Sequence, residues 1–180
     1  VYASTGPRIT LRFFGGFDFA RSDLKARDLA AVGYRKGVPM GGDLRRSTQA
    51  KAPTFVVAAM KDPLAANLDR IQVVKGWLDA DGKTHERIYD VAVSNGRRIG
   101  ADGRCVTPVG NTVDLATGQY RNDIGAPELT AVSRDPDFDP AHRAPARAAV
   151  LHHRRGGASG RGRDPRAPER VDRRAIPPGD

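Results

Sequence analysis

The stretch "DRIQVVKGWLDADGKTHERIYDVAVS" (residues 69–94) decides the fold. Ile71 and Val73 fall to one side of the first run, and Trp77 is in phase with them. Beyond the turn, Tyr89, Val91 and Val93 recur with the same period of two, with Arg87 leading in. Alternation of this kind marks half-buried strands, because successive side chains of a strand point to opposite faces. Between the two runs lies Asp81-Gly82, a pair that suits a tight connection because glycine adopts positive φ without steric penalty. Residues 69–94 therefore read as a β-hairpin.

The same period extends outward. In "RITLRFF" (8–14) Ile9, Leu11 and Phe13 alternate with Thr10 and Arg12, and Gly15 and Gly16 close the run. "TFVVAAM" (54–60) is a short apolar run with β-branched residues, ended by Pro63. "NTVDLATGQYRN" (111–122) and "PELTAVS" (127–133) read as further short strands. "SDLKARDLAAVGYRKG" (22–37) breaks the pattern: it is a short helix, with Ser22 a cap and Gly33 a stop, or an excursion between strands. Short strands separated by Gly, Pro and Asp turns make the expected class mainly β, an antiparallel β-sandwich-like domain with one short helix and a disordered C-terminal tail.

That tail has a different composition. Residues 1–140 hold 20 Lys and Arg against 17 Asp and Glu, whereas residues 141–180 hold 10 Arg, no Lys and 4 acids. Much of the net charge of +9 thus sits in the tail. Ala, Arg, Gly and Pro make up 28 of its 40 residues, and none is aromatic. Such a segment buries too little to offset a backbone ordering cost of roughly 1–2 kcal/mol per residue. Three origins stay open: an arginine-rich RNA-contacting arm around "RRGGASGRGR", a plain solvated linker, or an out-of-frame translation of a GC-rich gene.

Candidate chemistry is sparse. Cys105 is the one cysteine, which excludes an internal disulfide and a cysteine-based zinc site and favours a passive apolar role. Before the tail there is one histidine, His85, expected to be exposed. "DADGK" lacks the further acidic positions of a calcium loop, and "PDFDP" (136–140) reads as a turn. No phosphate-binding loop is present. No run approaches 18 apolar residues, so no membrane partner is expected. The stretch "STGPR" (4–8) brings a hydroxyl, a flexible glycine and a guanidinium together. It is either a turn feeding the next strand or an anion contact, since arginine meets phosphate and carboxylate bidentately.

Four segments, "VYASTGPRITLRFFGGFDF" (1–19), "GYRKGVPMGGDL" (33–44), "APTFVVAAMKDPLAANLDRIQVVKGWLDADGKTHERIYDVAVS" (52–94) and "PVGNTVDLATGQYRNDIGAPELTAVSRDPDFDPAHRA" (108–144), resemble the C-terminal part of the DUF3604 family. That family is similar to the polymerase-and-histidinol-phosphatase (PHP) metallohydrolases. The resemblance implies that residues 1–16 lead out of a barrel domain, that 17–140 form a C-terminal β domain, and that 141–180 depart from the family pattern. Past residue 143 the family continues with an aromatic-rich strand, so here a strand is expected to be missing and a sheet edge left open. The barrel would carry the His- and Asp-rich metal motifs and a divalent cation (Zn, Mn or Mg). This chain alone would have no catalytic or metal-ligating residues and no cofactor. The partners so implied are the barrel domain and an anionic phosphoester, with Thr5 and Arg8 as substrate-binding residues at the mouth of the metal pocket. The alternative is a binding module whose basic tail contacts RNA or another anion; nucleic acid is not the expected partner. An extracytoplasmic location also follows from the resemblance.

Overall fold

Two antiparallel sheets face one another in the computed structural model, which describes residues 6–45, 47–140 and the strand 146–152. The strands are β1 (Thr10–Gly16), β2 (Gly37–Pro39), β3 (Thr54–Met60), β4 (Leu68–Leu78), β5 (Thr84–Val93), β6 (Glu128–Arg134) and β7 (Ala146–His152). One sheet has the order β2-β1-β3-β6 and the other β5-β4-β7. The mainly β class read from the periodicity holds. Between the sheets lie Phe13, Val57, Ala59, Leu68, Ile71, Val73 and Ala131, with Ile9 and Leu11 packed against them. Ile9, Leu11 and Phe13 thus share the inward face that alternation assigns to them.

The first sheet is covered on its other face as well. Helix α1 (Leu29–Lys36) and the short 3-10 helix Arg21–Lys25 lie against it, and Phe14, Phe19, Val32 and Val56 form a second core. Val56 and Val57, adjacent on β3, are both fully buried. That is why "TFVVAAM" is a continuous apolar run: a strand covered on both faces has no solvent side to mark with polar residues. The helix begins later and runs further than its composition suggests. Asp28 caps it, accepting the Ala31 N–H at 3.1 Å, while Ser22 lies in the 3-10 helix. Gly33 does not stop it: a Cβ there would sit 2.6 Å from the Phe14 ring, so glycine is what lets the helix approach β1.

The hairpin forms as read. β4 and β5 pair, and the Asp79–Lys83 turn closes with Gly82 at φ 77°, its N–H donating to Asp79 O at 3.1 Å. The register slips once. Ile71 faces Ala92, but Gln72 faces Asp90, which leaves Val91 as the extra residue of a bulge. Val91 and Ala92 both pack against the core, so the strict alternation Tyr89–Val91–Val93 is broken there.

Two expectations are corrected. Residues 111–122 form no strand ladder, only an isolated bridge between Val113 and Tyr120. Asp114 Oδ1 accepts the N–H groups of Ala116 and Thr117, giving the backbone a local alternative to a sheet. The assignment of all of 141–180 to disorder is also revised. Residues 146–152 pair with β4, Val73 opposite Ala148 and Ile71 opposite Val150. Main-chain donors and acceptors along the β4 edge recruit the segment whatever its poverty in large side chains. The edge expected to stay open is therefore closed along Leu68–Lys75. Residues 153–180 lie outside the described residues.

Gly33→Ala is expected to destabilise the domain by about 1–3 kcal/mol, the cost of overpacking against Phe14 exceeding the helix-propensity gain of about 1 kcal/mol. Urea denaturation followed by circular dichroism measures it, and an unchanged or raised midpoint would show that Phe14 has room to move.

Candidate functional site

Arg8 lies just ahead of β1, in a turn closed by the Ile9 N–H donating to Pro7 O at 3.0 Å. "GPR" is therefore a turn feeding the strand. A tie that the sequence did not reveal holds it in place: the Arg8 N–H donates to Asp62 Oδ2 at 2.8 Å. Asp62 belongs to the β3–β4 connection, and its other carboxylate oxygen accepts the Leu64 N–H at 2.9 Å. The Ala65 N–H closes onto Asp62 O at 3.0 Å, and Lys61 Nζ reaches Ala65 O at 2.8 Å. The one signal for this turn in the sequence is Asp62-Pro63, since aspartate commonly bonds backbone amides two residues on.

The two amide donors, that of Arg8 foremost, hold the Asp62 carboxyl below its ordinary value, with the charges of Arg8 and Lys61 adding to them. The Arg8 side chain is exposed, and among the described residues no hydrogen bond occupies its guanidinium. Thr5, the other residue assigned to substrate, lies outside the described residues. Arg8 is thus a cation of fixed backbone position at the end of the first sheet, suited to meet an anion.

The buried ionisable groups are mostly spent on one another. The Asp90 carboxylate has no exposed surface and accepts from Arg70 Nη1 at 3.0 Å, Gln72 Nε2 at 2.6 Å and the Cys105 N–H at 2.6 Å. Arg70 also bonds Asp69 and Cys105 O. Burial pulls its pKa down, but the charges of Asp69 and Asp90 more than offset this and leave it raised. Arg97 gathers Asp69, Ser94 O and Thr107 O. Lys75 pairs with Asp135 at 2.8 Å and donates to Asp137 O at 2.7 Å. Asp137, in the "PDFDP" turn, takes the Tyr89 hydroxyl and Arg87. Burial, then that hydrogen bond, pushes the Tyr89 phenol well above its ordinary value.

His85 stands on the hairpin, its Nε2 2.8 Å from Asp79 Oδ2, and it stacks on Trp77 with ring centroids 5.2 Å apart. The expectation of exposure holds, since 41% of its side chain is accessible. Cys105 is buried and its sulfur faces Thr107 O at 3.6 Å. Among the described residues no group of three or more His, Cys, Asp or Glu is placed to hold a metal ion. None of their helices is long and apolar enough to cross a membrane.

A family model described as a protein of unknown function, DUF3604, matches residues 1–153. The chain belongs to the DUF3604 family. The match runs nine residues past the resemblance read from the segments, through the end of β7, so strand β7 lies within the family's span. No curated protein and no solved structure matches the chain.

Two outcomes test this chemistry. Asp90→Ala leaves the Arg70 guanidinium without its buried counter-ion and is expected to cost about 3–5 kcal/mol, a large part of a domain's ~5–15 kcal/mol, read from urea midpoints. The Asp62 tie has a pH signature. Because its folded pKa lies below the unfolded value, the tie is complete above about pH 4 and is lost as pH falls through the depressed folded value. The Arg8 amide should therefore lose hydrogen-exchange protection in acid. Asp62→Asn should remove that acid dependence, and an acid-insensitive Arg8 amide in the unsubstituted chain would show that Asp62 does not hold it.

Proposed function

We propose that this chain is the non-catalytic β domain of a PHP-like, metal-dependent hydrolase that acts on an anionic phosphoester, with Arg8 contacting the substrate anion. The observation that carries the reading is the Arg8 arrangement. Its backbone is fixed by Asp62 while its guanidinium stays exposed and unoccupied among the described residues. Most other charged groups that the fold buries already have partners in the network of Asp69, Arg70, Asp90 and Arg97 or in the Lys75–Asp135 pair. A guanidinium held this way supplies two parallel donors to a phosphoryl oxygen pair, a contact that strengthens as negative charge grows there.

The described residues offer no ligand set for a divalent cation, so the metal ligands of such an enzyme would stand on its barrel domain. When bound there, the cation would polarise the phosphoryl group and activate water. The part of this chain is to orient the anion. Thr5 would add a hydroxyl donor from the same segment.

The test uses the protein carrying both barrel and β domain, assayed on a phosphomonoester with Mn²⁺. Arg8→Ala is expected to lower kcat/KM by roughly tenfold to a hundredfold, the loss of about 1.5–3 kcal/mol of charge-assisted hydrogen bonding, with metal content unchanged. Arg8→Lys should restore part of it. Unaltered kcat/KM in Arg8→Ala removes the assigned role. If residues 1–180 alone hydrolyse the ester with added Mn²⁺, the domain is catalytic. If they bind RNA in a steeply salt-dependent way that disappears with residues 141–180, the binding-module reading replaces this one.

A further inference from the structure

The excursion between β1 and β3 carries a charge imbalance that the rest of the body lacks. Residues 17–51 hold eight Lys and Arg against four Asp, while residues 52–140 hold ten against thirteen acids. Three of those four aspartates are engaged locally. Asp18 pairs with Lys51, Asp23 takes Lys36 Nζ at 2.8 Å and the Ala20 N–H at 2.8 Å, and Asp28 caps α1. Of the six cations left, Arg46 lies outside the described residues and Arg45 follows β2; Arg21, Lys25, Arg27 and Arg35 belong to the helical part, all exposed and none in an ion pair among the described residues.

These four cations stand on or between two adjacent short helices. Arg21 and Lys25 bound the 3-10 helix, and Arg27 stands between it and α1. Lys36, in the last turn of α1, reaches back to Asp23 and to Asp18 O at 3.4 Å, which ties the end of α1 that carries Arg35 to the 3-10 helix. The charge of Arg35 is among those that hold Asp23 below its ordinary pKa. A soluble surface ordinarily intersperses its signs. Here three of the four carboxylates are engaged and positive charge is left outward.

We propose that this 3-10 helix and α1 surface binds a sulfated or carboxylated polysaccharide. Three of the four cations are arginines, which meet planar or tetrahedral oxyanions bidentately. Distribution over fifteen residues suits a polymer better than a single small anion. Single-stranded nucleic acid would ask for several aromatic platforms on which bases stack. In 17–51 only Tyr34 offers an exposed ring, Phe19 being buried and Phe17 half-buried.

The experiment is calorimetric titration of the full chain with a heparin octasaccharide over a salt series. The fourfold variant Arg21→Ser, Lys25→Ser, Arg27→Ser, Arg35→Ser is expected to bind about tenfold or more weakly and with a flatter salt dependence, since fewer counter-ions are released. Its thermal midpoint should be unchanged. If it falls, the pair Arg21→Gln and Lys25→Gln, which leaves α1 intact, takes its place with a smaller loss in the same direction. A second variant, Arg154→Ser, Arg155→Ser, Arg161→Ser, Arg163→Ser, Arg166→Ser, measures the tail and should weaken binding by less than about threefold. The proposal fails if the folded chain does not bind heparin or the body variant binds as tightly as the unsubstituted chain. It fails equally if the tail variant alone abolishes binding, or if an oligothymidylate of equal charge binds more tightly.

Discussion

A carboxylate with no exposed surface must be met by donors on every side, and the second sheet is organised around that requirement at Asp90. Its three donors come from different places: Arg70 and Gln72 on β4, and the main chain of Cys105 beyond β5. The bulge at Val91 makes the arrangement possible, because the slip of register sets Gln72 directly opposite Asp90 while Ala92 stays against the core beside Ile71. One extra residue thus lets β5 serve an apolar face and a polar one in succession. Segment 94–107, which has no regular structure of its own, is then tied down by Arg70 to Cys105 O and by Arg97 to Ser94 O and Thr107 O. A loop without a ladder needs such bonds to satisfy its buried main chain.

A second polar contact joins the two sheets. Lys75 sits on the inward side of β4 in phase with Ile71 and Val73, where an apolar residue would be expected. It meets Asp135, which directly follows β6 of the other sheet, with both side chains almost fully buried. Removing two charges from water is costly unless each finds its partner in good geometry, and replacement of such a pair by apolar side chains is often neutral or stabilising. The pair is therefore better understood as fixing where the end of β6 lies than as a source of net stability. Tyr89 and Arg87 meeting Asp137 extend the same clamp two residues along the chain.

The hairpin, β1, β3 and β6 were legible because burial on at least one face writes itself as apolar periodicity or as an unbroken apolar run. What was not legible has a physical reason in each case. Asp90 and Lys75 look like solvent-side residues of their strands, since a sequence shows charge but not the counter-charge that folding brings from 20 or 60 residues away. The Val91 bulge leaves no mark in a run that is apolar on both sides of it. Residues 111–122 alternate like a strand, yet Asp114 captures its own backbone first. β7 was hidden for the opposite reason: its pairing rests on the β4 edge, not on its own composition. At the candidate site, Arg8 could be singled out by its chemistry, but Asp62, 54 residues on, could not.

The register of the first sheet also sets how far Arg8 stands from the point where the chain leaves β1 for the 3-10 helix. β1 and β3 run antiparallel with Thr10 opposite Met60 and Gly16 opposite Thr54. Arg8 and Asp62 therefore lie beyond one end of this pair of strands, where Lys61 N–H also joins Pro127 O ahead of β6. At the other end, the Phe19 N–H bonds Thr54 Oγ1 and leads directly into the 3-10 helix and α1. Seven paired residues at about 3.3 Å each set the two ends roughly 20 Å apart. That distance exceeds the screening length of about 8 Å at physiological ionic strength. If Arg8 meets an anion as proposed, its charge is thus screened from groups at the far end of these strands.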